Sequence, residues 1–149
     1  MNSETVHAAR DRYLAENSLT LASYDDPKFP IYVWKWPIRI PNPGFLPSHD
    51  LHHVVTGYGT GWIGEAEISA YELRAGCPSF LIFVLCVGAI LGALLVAPIR
   101  VCRAWRYARN TRTLYNSPIP YEELLQMQAS ELRLHLGIPC DGWCKRDGR

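Results

Sequence analysis

The stretch HDLHHVVTGYGTGWIGE, residues 49–65, carries the reading of the whole chain. Residues 49–58 can form a helix, after which Gly57, Gly59 and Gly61 free the backbone for a break. A second helix is expected from Ile63 to Leu73, stopped by Gly76 and Pro78. Within the first helix His49 and His53 stand four apart, which sets both imidazoles on one face about one turn apart, a common first half of a metal site. Asp50 lies ~100° around the same helix, where its carboxylate either ligates directly or orients an imidazole from behind. Glu65 follows His53 after eleven residues, and the glycine-rich turn gives the chain a way to bring that carboxylate opposite the histidines. Two nitrogens with one or two oxygens suit zinc, manganese or iron and leave a position open for water or substrate. The plainer alternative is a pair of partly buried, hydrogen-bonded histidines. His52 points to a different side of the helix and reads as a surface or capping residue.

Upstream, residues 3–16 read as a short helix with Ser3 as its cap and Val6, Ala9, Tyr13 and Leu14 near helical spacing. Six of the eleven prolines then fall between Asp25 and Pro47, so no helix should cross that segment. Inside it Trp34, Trp36, Ile38 and Ile40 alternate with Lys35, Pro37 and Arg39, the period of a strand with one apolar face, and Pro37 makes it an edge or an arm. Its tryptophans either pack over a helical core or anchor at a membrane interface or a dimer partner.

Downstream, FLIFVLCVGAILGALLVAPI is an uncharged run of twenty residues, 80–99, followed by arginines at 100, 103, 106, 109 and 112. Taken by composition, the run favours a membrane span over a buried central helix, with Pro98 kinking or ending it in either case. The last expected element is a helix over 121–136, introduced by prolines and closed by Gly137 and Pro139. Tyr121, Leu124, Leu125 and Leu132 form its packing face, and Glu122, Glu123, Gln126, Glu131 and Arg133 much of its solvated side.

The 149 residues suffice for one domain. Lys and Arg total 15 against 14 for Asp and Glu, which gives no argument for a nucleic-acid partner. Cys77, Cys86, Cys102, Cys140 and Cys144 follow no zinc-finger or redox spacing and read as reduced thiols of a cytosolic setting. The opening MNSETVHAARDRYLAENS, with acidic residues and no apolar run, argues against a secretory signal or a transit peptide. The fold expected is all-α: an N-terminal helix and proline-rich extended arm (1–47), a helical metal-motif domain (48–139) and a C-terminal tail (140–149).

His49-Asp50-Leu51-His52-His53, eleven residues, then Glu65 resembles the defining motif of the coenzyme Q (ubiquinone) biosynthesis protein 4 family. The likeness extends through the threonine and glycines before Gly64-Glu65, the apolar segment, the arginine-rich stretch and the closing YEELLQMQASELRLHLGIP, covering about Ser48 to Pro139. The resemblance implies an all-helical domain peripheral to a membrane that binds a polyprenyl tail. It also implies action at ring carbon 1 of a polyprenylated benzoate-type substrate, removing the carboxylate in a step coupled to hydroxylation. His49, Asp50, His53 and Glu65 become the ligands of a divalent metal, zinc first, with iron or manganese as alternatives. The segment from Phe80 to Val96 becomes a tail-contacting helix, which reverses the weighting for a span. Implied partners are the lipid substrate, other quinone-biosynthesis proteins, the membrane surface and a second copy in a homodimer. The implied location is the cytoplasmic face of a membrane, or the mitochondrial inner membrane in a eukaryote, and the start of the chain favours a bacterial-type protein or a processed one. Two features depart from the family: fewer helices precede the motif, and FLPS replaces an arginine-bearing approach to His49.

Three functions follow as expectations. The first is a metal-dependent decarboxylase, the metal serving as a Lewis acid. The second is a non-catalytic isoprenoid-lipid scaffold in which the metal clamps two helices. The third is a single-pass membrane protein.

Overall fold

A computed structural model of the chain describes residues 4–33, 36–41 and 44–146. Among the described residues eight α-helices run in the order α1 (Val6–Glu16), α2 (Leu46–Thr56), α3 (Trp62–Ala75), α4 (Phe80–Leu94), α5 (Pro98–Tyr107), α6 (Tyr121–Gln126), α7 (Ala129–His135) and α8 (Gly142–Arg146). Between α1 and α2 the proline-rich arm is an antiparallel hairpin of β1 (Lys28–Val33) and β2 (Trp36–Pro41), paired from Lys28 with Pro41 to Val33 with Trp36. The all-α domain with an extended arm is therefore the fold. The single strand expected over 34–40 becomes the second half of a two-stranded ribbon, while Trp34 and Lys35 lie outside the described residues.

The helix ends follow local chemistry. Thr5, rather than Ser3, caps α1, its hydroxyl accepting from the Ala8 amide at 3.2 Å; Ser3 lies outside the described residues. Pro47 sits in the first turn of α2, where its missing N–H costs nothing, so the helix begins three residues ahead of His49. It ends on Gly57 at φ 81°, a left-handed backbone that glycine adopts without strain. Gly64 is demanded by packing: a Cβ there would stand 1.9 Å from the Gly59 carbonyl oxygen, so only glycine lets the loop fold flat against the start of α3.

Two expectations are corrected by contacts distant in sequence. The helix expected over 121–136 is two helices, because the chain start forms a bridge between Thr5 and Gln128. The Val6 amide donates to the Met127 carbonyl and the Ala129 amide to that of Glu4, both at 2.9 Å, which holds Met127 extended. The apolar run over 80–99 is likewise interrupted, ending as α4 at Leu94 and resuming as α5 at Pro98. At 15 residues α4 spans about 22 Å, and no described helix is long and apolar enough to cross a membrane. It is not a buried central helix either, since Ile82, Cys86 and Ala93 face inward while much of the opposite side is exposed.

The core is one continuous cluster drawn from both ends of the chain, including Val6, Leu51, Val55, Ile68, Tyr71 and Leu132. The segment set apart as a tail contributes to it: Trp143 of α8 is buried among the rings of Tyr58, Tyr71 and Tyr107. Helix α3 is central, with α4 and α5 packed on it and α2 meeting it at Glu65 and Glu72.

Candidate metal centre

Helix α2 presents His49 and His53 on one face with ring centroids 5.0 Å apart, as the four-residue spacing requires. Glu65, in the first turn of α3, meets them there: its Oε2 is 3.3 Å from His49 Nε2 and its Oε1 3.3 Å from His53 Nε2. One ligand-type atom from each of the three residues lies within 4.8 Å of the others. His53 is fully buried, and its Nδ1 donates to the Tyr58 carbonyl at 3.0 Å, so that whenever the ring is neutral Nε2 carries its lone pair. That nitrogen has no hydrogen-bond partner, its contact with Glu65 being close but not aligned as a hydrogen bond. A buried lone pair facing a carboxylate oxygen is unfavourable unless something positive lies between them. The donor set therefore fits a divalent cation, with two imidazole nitrogens and one carboxylate.

His49 is held from both sides. Its Nδ1 contacts Glu72 Oε1 at 2.8 Å while Nε2 faces Glu65. Burial alone would lower its affinity for a proton, but the Glu72 charge and the hydrogen bonds to Glu65 and Glu72 raise its pKa well above the ordinary imidazole value. Glu65 is affected in turn: burial pushes its carboxyl up, yet the hydrogen bond from His49 and the close approach of both imidazoles bring it to about 2. The helix N-terminus beside it favours the same charge.

Glu72 is the residue that motif reading passes over. It is almost wholly buried, and its Oε1 also accepts from His52 Nδ1 at 2.7 Å and from the Tyr115 hydroxyl at 2.6 Å. Seven residues after Glu65 it shares that residue's face of α3, a spacing that marks it in the sequence once the helix is known. His52 corrects another expectation. It is fully buried, and its Nε2 accepts the Leu114 amide at 2.9 Å, which fixes the proton on Nδ1 for Glu72. Its imidazolium form is disfavoured, first by burial.

Asp50, expected among the ligands, is outside the group that His49, His53 and Glu65 form. Its Oδ2 accepts from the Tyr24 hydroxyl at 2.7 Å and its Oδ1 from that of Tyr13 at 3.4 Å. Burial raises its pKa against the opposing effect of these hydrogen bonds and the nearby histidines. Tyr13 also stacks on the His53 ring at 5.5 Å between centroids, so Asp50 supports the site through the residue that walls it. Glu65 and His49 retain some exposure, and the site opens to solvent on their side.

No protein-family model matches the sequence, and no curated protein matches it. Among solved structures the fold is similar to that of a Nostoc punctiforme PCC 73102 protein provisionally described as a ubiquinone biosynthesis protein, with a TM-score of 0.57 and 21% identity. The match covers 89% of this chain and 62% of that one, so the chain spans less than two thirds of its neighbour's length. At that identity the likeness establishes a shared fold.

Proposed function

We propose that this chain is a metal-dependent protein of ubiquinone or related isoprenoid-quinone biosynthesis, acting at ring carbon 1 of a polyprenylated benzoate-type substrate to release its carboxylate. The observation that carries the reading is the convergence of His49 Nε2, the orphaned His53 Nε2 and the Glu65 carboxylate on one point. The fold shared with the Nostoc punctiforme protein supports the pathway, and the motif resemblance supplies the reaction.

In this reading a divalent cation held by His49, His53 and Glu65 supplies Lewis acidity to a phenolate or carboxylate oxygen of the ring. Glu72 keeps the His49 proton on Nδ1 and so leaves Nε2 available. Tyr13 and Asp50 wall the buried side, leaving the partly exposed side of Glu65 for the aromatic ring to approach. Zinc suffices for decarboxylation alone, whereas a coupled hydroxylation requires iron or manganese, since zinc does not change oxidation state.

The scaffold alternative, with the metal as a clamp between α2 and α3, is disfavoured by one feature: His49 and His52 of α2 already bind Glu72 of α3. Metal analysis of the purified chain, followed by release of carbon dioxide from a polyprenylated hydroxybenzoate with each ion, tests the proposal. About one ion per chain and turnover lost in Glu65→Gln with the fold retained are the expected results. Absence of stoichiometric metal under reconstitution overturns it.

A further inference from the structure

Beyond α5 the chain returns to α2 and α3, and four consecutive residues are each fastened to one of them. The Arg112 carbonyl accepts the Tyr71 hydroxyl, and the Thr113 hydroxyl donates at 2.8 Å to the carbonyl of Gly76, at the end of α3. The Leu114 amide donates to His52 Nε2 at 2.9 Å, and the Tyr115 hydroxyl to Glu72 Oε1 at 2.6 Å. Connecting segments ordinarily leave their polar groups to water, whereas here Thr113 and Leu114 are buried. The first two bonds hold the segment in place and go no further. The last two enter the polar layer behind the candidate metal centre.

A backbone N–H can only donate, so the Leu114 amide requires a lone pair on His52 Nε2 and leaves the proton of that ring on Nδ1, 2.7 Å from Glu72 Oε1. Tyr115 brings a second donor to the same oxygen, and its ring stands edge-on to the His52 ring with centroids 4.8 Å apart. That oxygen is also the one that meets His49 Nδ1 at 2.8 Å. A buried carboxylate held by one donor has other staggered rotamers open to it. Glu72 is held from α2 and from the returning segment together, and turning it would leave two buried donors unpaired. The direction in which it meets His49 is therefore set by residues that are not ligands.

We propose that Tyr115 is a positioning residue of the metal centre: with the Leu114 amide, which acts through His52, it fixes Glu72, and Glu72 fixes the His49 ring with Nε2 toward the cation. The inference rests on the reading of His49, His53 and Glu65 as ligands. It makes the segment after α5 a determinant of metal affinity although it supplies no ligand of its own.

Tyr115→Phe removes the hydroxyl and keeps the ring. Zinc affinity of the full chain, measured by competition with a chromogenic chelator, should fall about tenfold, with helical circular dichroism unchanged. Glu72→Ala removes the group through which Tyr115 acts, so adding Tyr115→Phe to it should change the affinity less than about twofold. Should Glu72→Ala not fold, Glu72→Gln takes its place with the same non-additivity expected. Unchanged affinity in Tyr115→Phe overturns the proposal, and so does a further tenfold loss in the double variant. The ring nitrogens of His49 give a readout that needs no metal. In the metal-free chain their 15N resonances should move on Tyr115→Phe when Glu72 is present and hold still when it is replaced; movement in both backgrounds, or in neither, overturns the proposal. A wild type that binds no zinc overturns the reading of the metal centre instead, and the nitrogen resonances still decide the part played by Tyr115.

Discussion

Glu72 Oε1 lies 2.8 Å from His49 Nδ1, and this contact determines which nitrogen of His49 faces the candidate site. With Nδ1 committed to Glu72, Nε2 is the atom turned toward Glu65 and His53. A carboxylate behind a ligating imidazole fixes its orientation and makes it a stronger donor. Glu72→Gln keeps an acceptor oxygen while removing the charge. Metal affinity should fall by about 10- to 100-fold, measured by competition with a chromogenic chelator, while helical circular dichroism is retained. Unchanged affinity would make the contact a packing feature only.

Metal uptake should weaken in acid. His49 holds a proton unusually tightly in the metal-free chain, because the Glu72 charge and the two carboxylate hydrogen bonds outweigh its burial. A ligating nitrogen must give that proton up, so about one should be released per ion bound. Calorimetry in two buffers of different ionisation enthalpy measures the release, and affinity should rise with pH.

Stability of the metal-free chain should follow opposite signs for the two partners. The elevated pKa of His49 makes its contribution full below about pH 6.5 and lost as pH rises through its folded value. The depressed pKa of Glu65 makes its contribution present above 4.5, its ordinary value, and lost as pH falls toward about 2. Thermal melts across pH, with and without Glu65→Gln, should show the acid loss flattened in the variant. An identical acid limb would exclude Glu65 as its source.

Asp50→Asn separates support from ligation. Its carboxylate is committed to Tyr24 and Tyr13, so the variant should keep the metal stoichiometry while losing about 1–3 kcal/mol of stability. A variant that keeps its stability but cannot hold metal would return Asp50 to the ligand set.

Two glycines should respond in opposite ways to alanine. Gly64→Ala drives a Cβ into the Gly59 carbonyl and should cost about 3 kcal/mol or more, displacing Glu65 from the histidines as well. Gly88 meets open space on α4, and Gly88→Ala should stabilise that helix by up to about 1 kcal/mol. Denaturant titration reads both, and similar effects at the two positions would contradict the packing described.

The sequence by itself placed His49 and His53 on one helix face and put a turn before Glu65. These depend on the α-helical period and on glycine and proline stereochemistry, which act over a few residues. Helix starts and stops were legible for the same reason, to within a few residues at α2 and α3. Only the tertiary structure decided where Asp50 turned, because a carboxylate ~100° around the helix takes whichever donors an adjoining segment supplies, here Tyr13 and Tyr24. It also decided that His52 is buried on Glu72, that the chain start divides α6 from α7, and that α4 lies on the surface. An uncharged helix has the same composition in a core, in a bilayer or on a surface. Length and neighbours separate those cases, and both come from contacts between segments far apart in the chain.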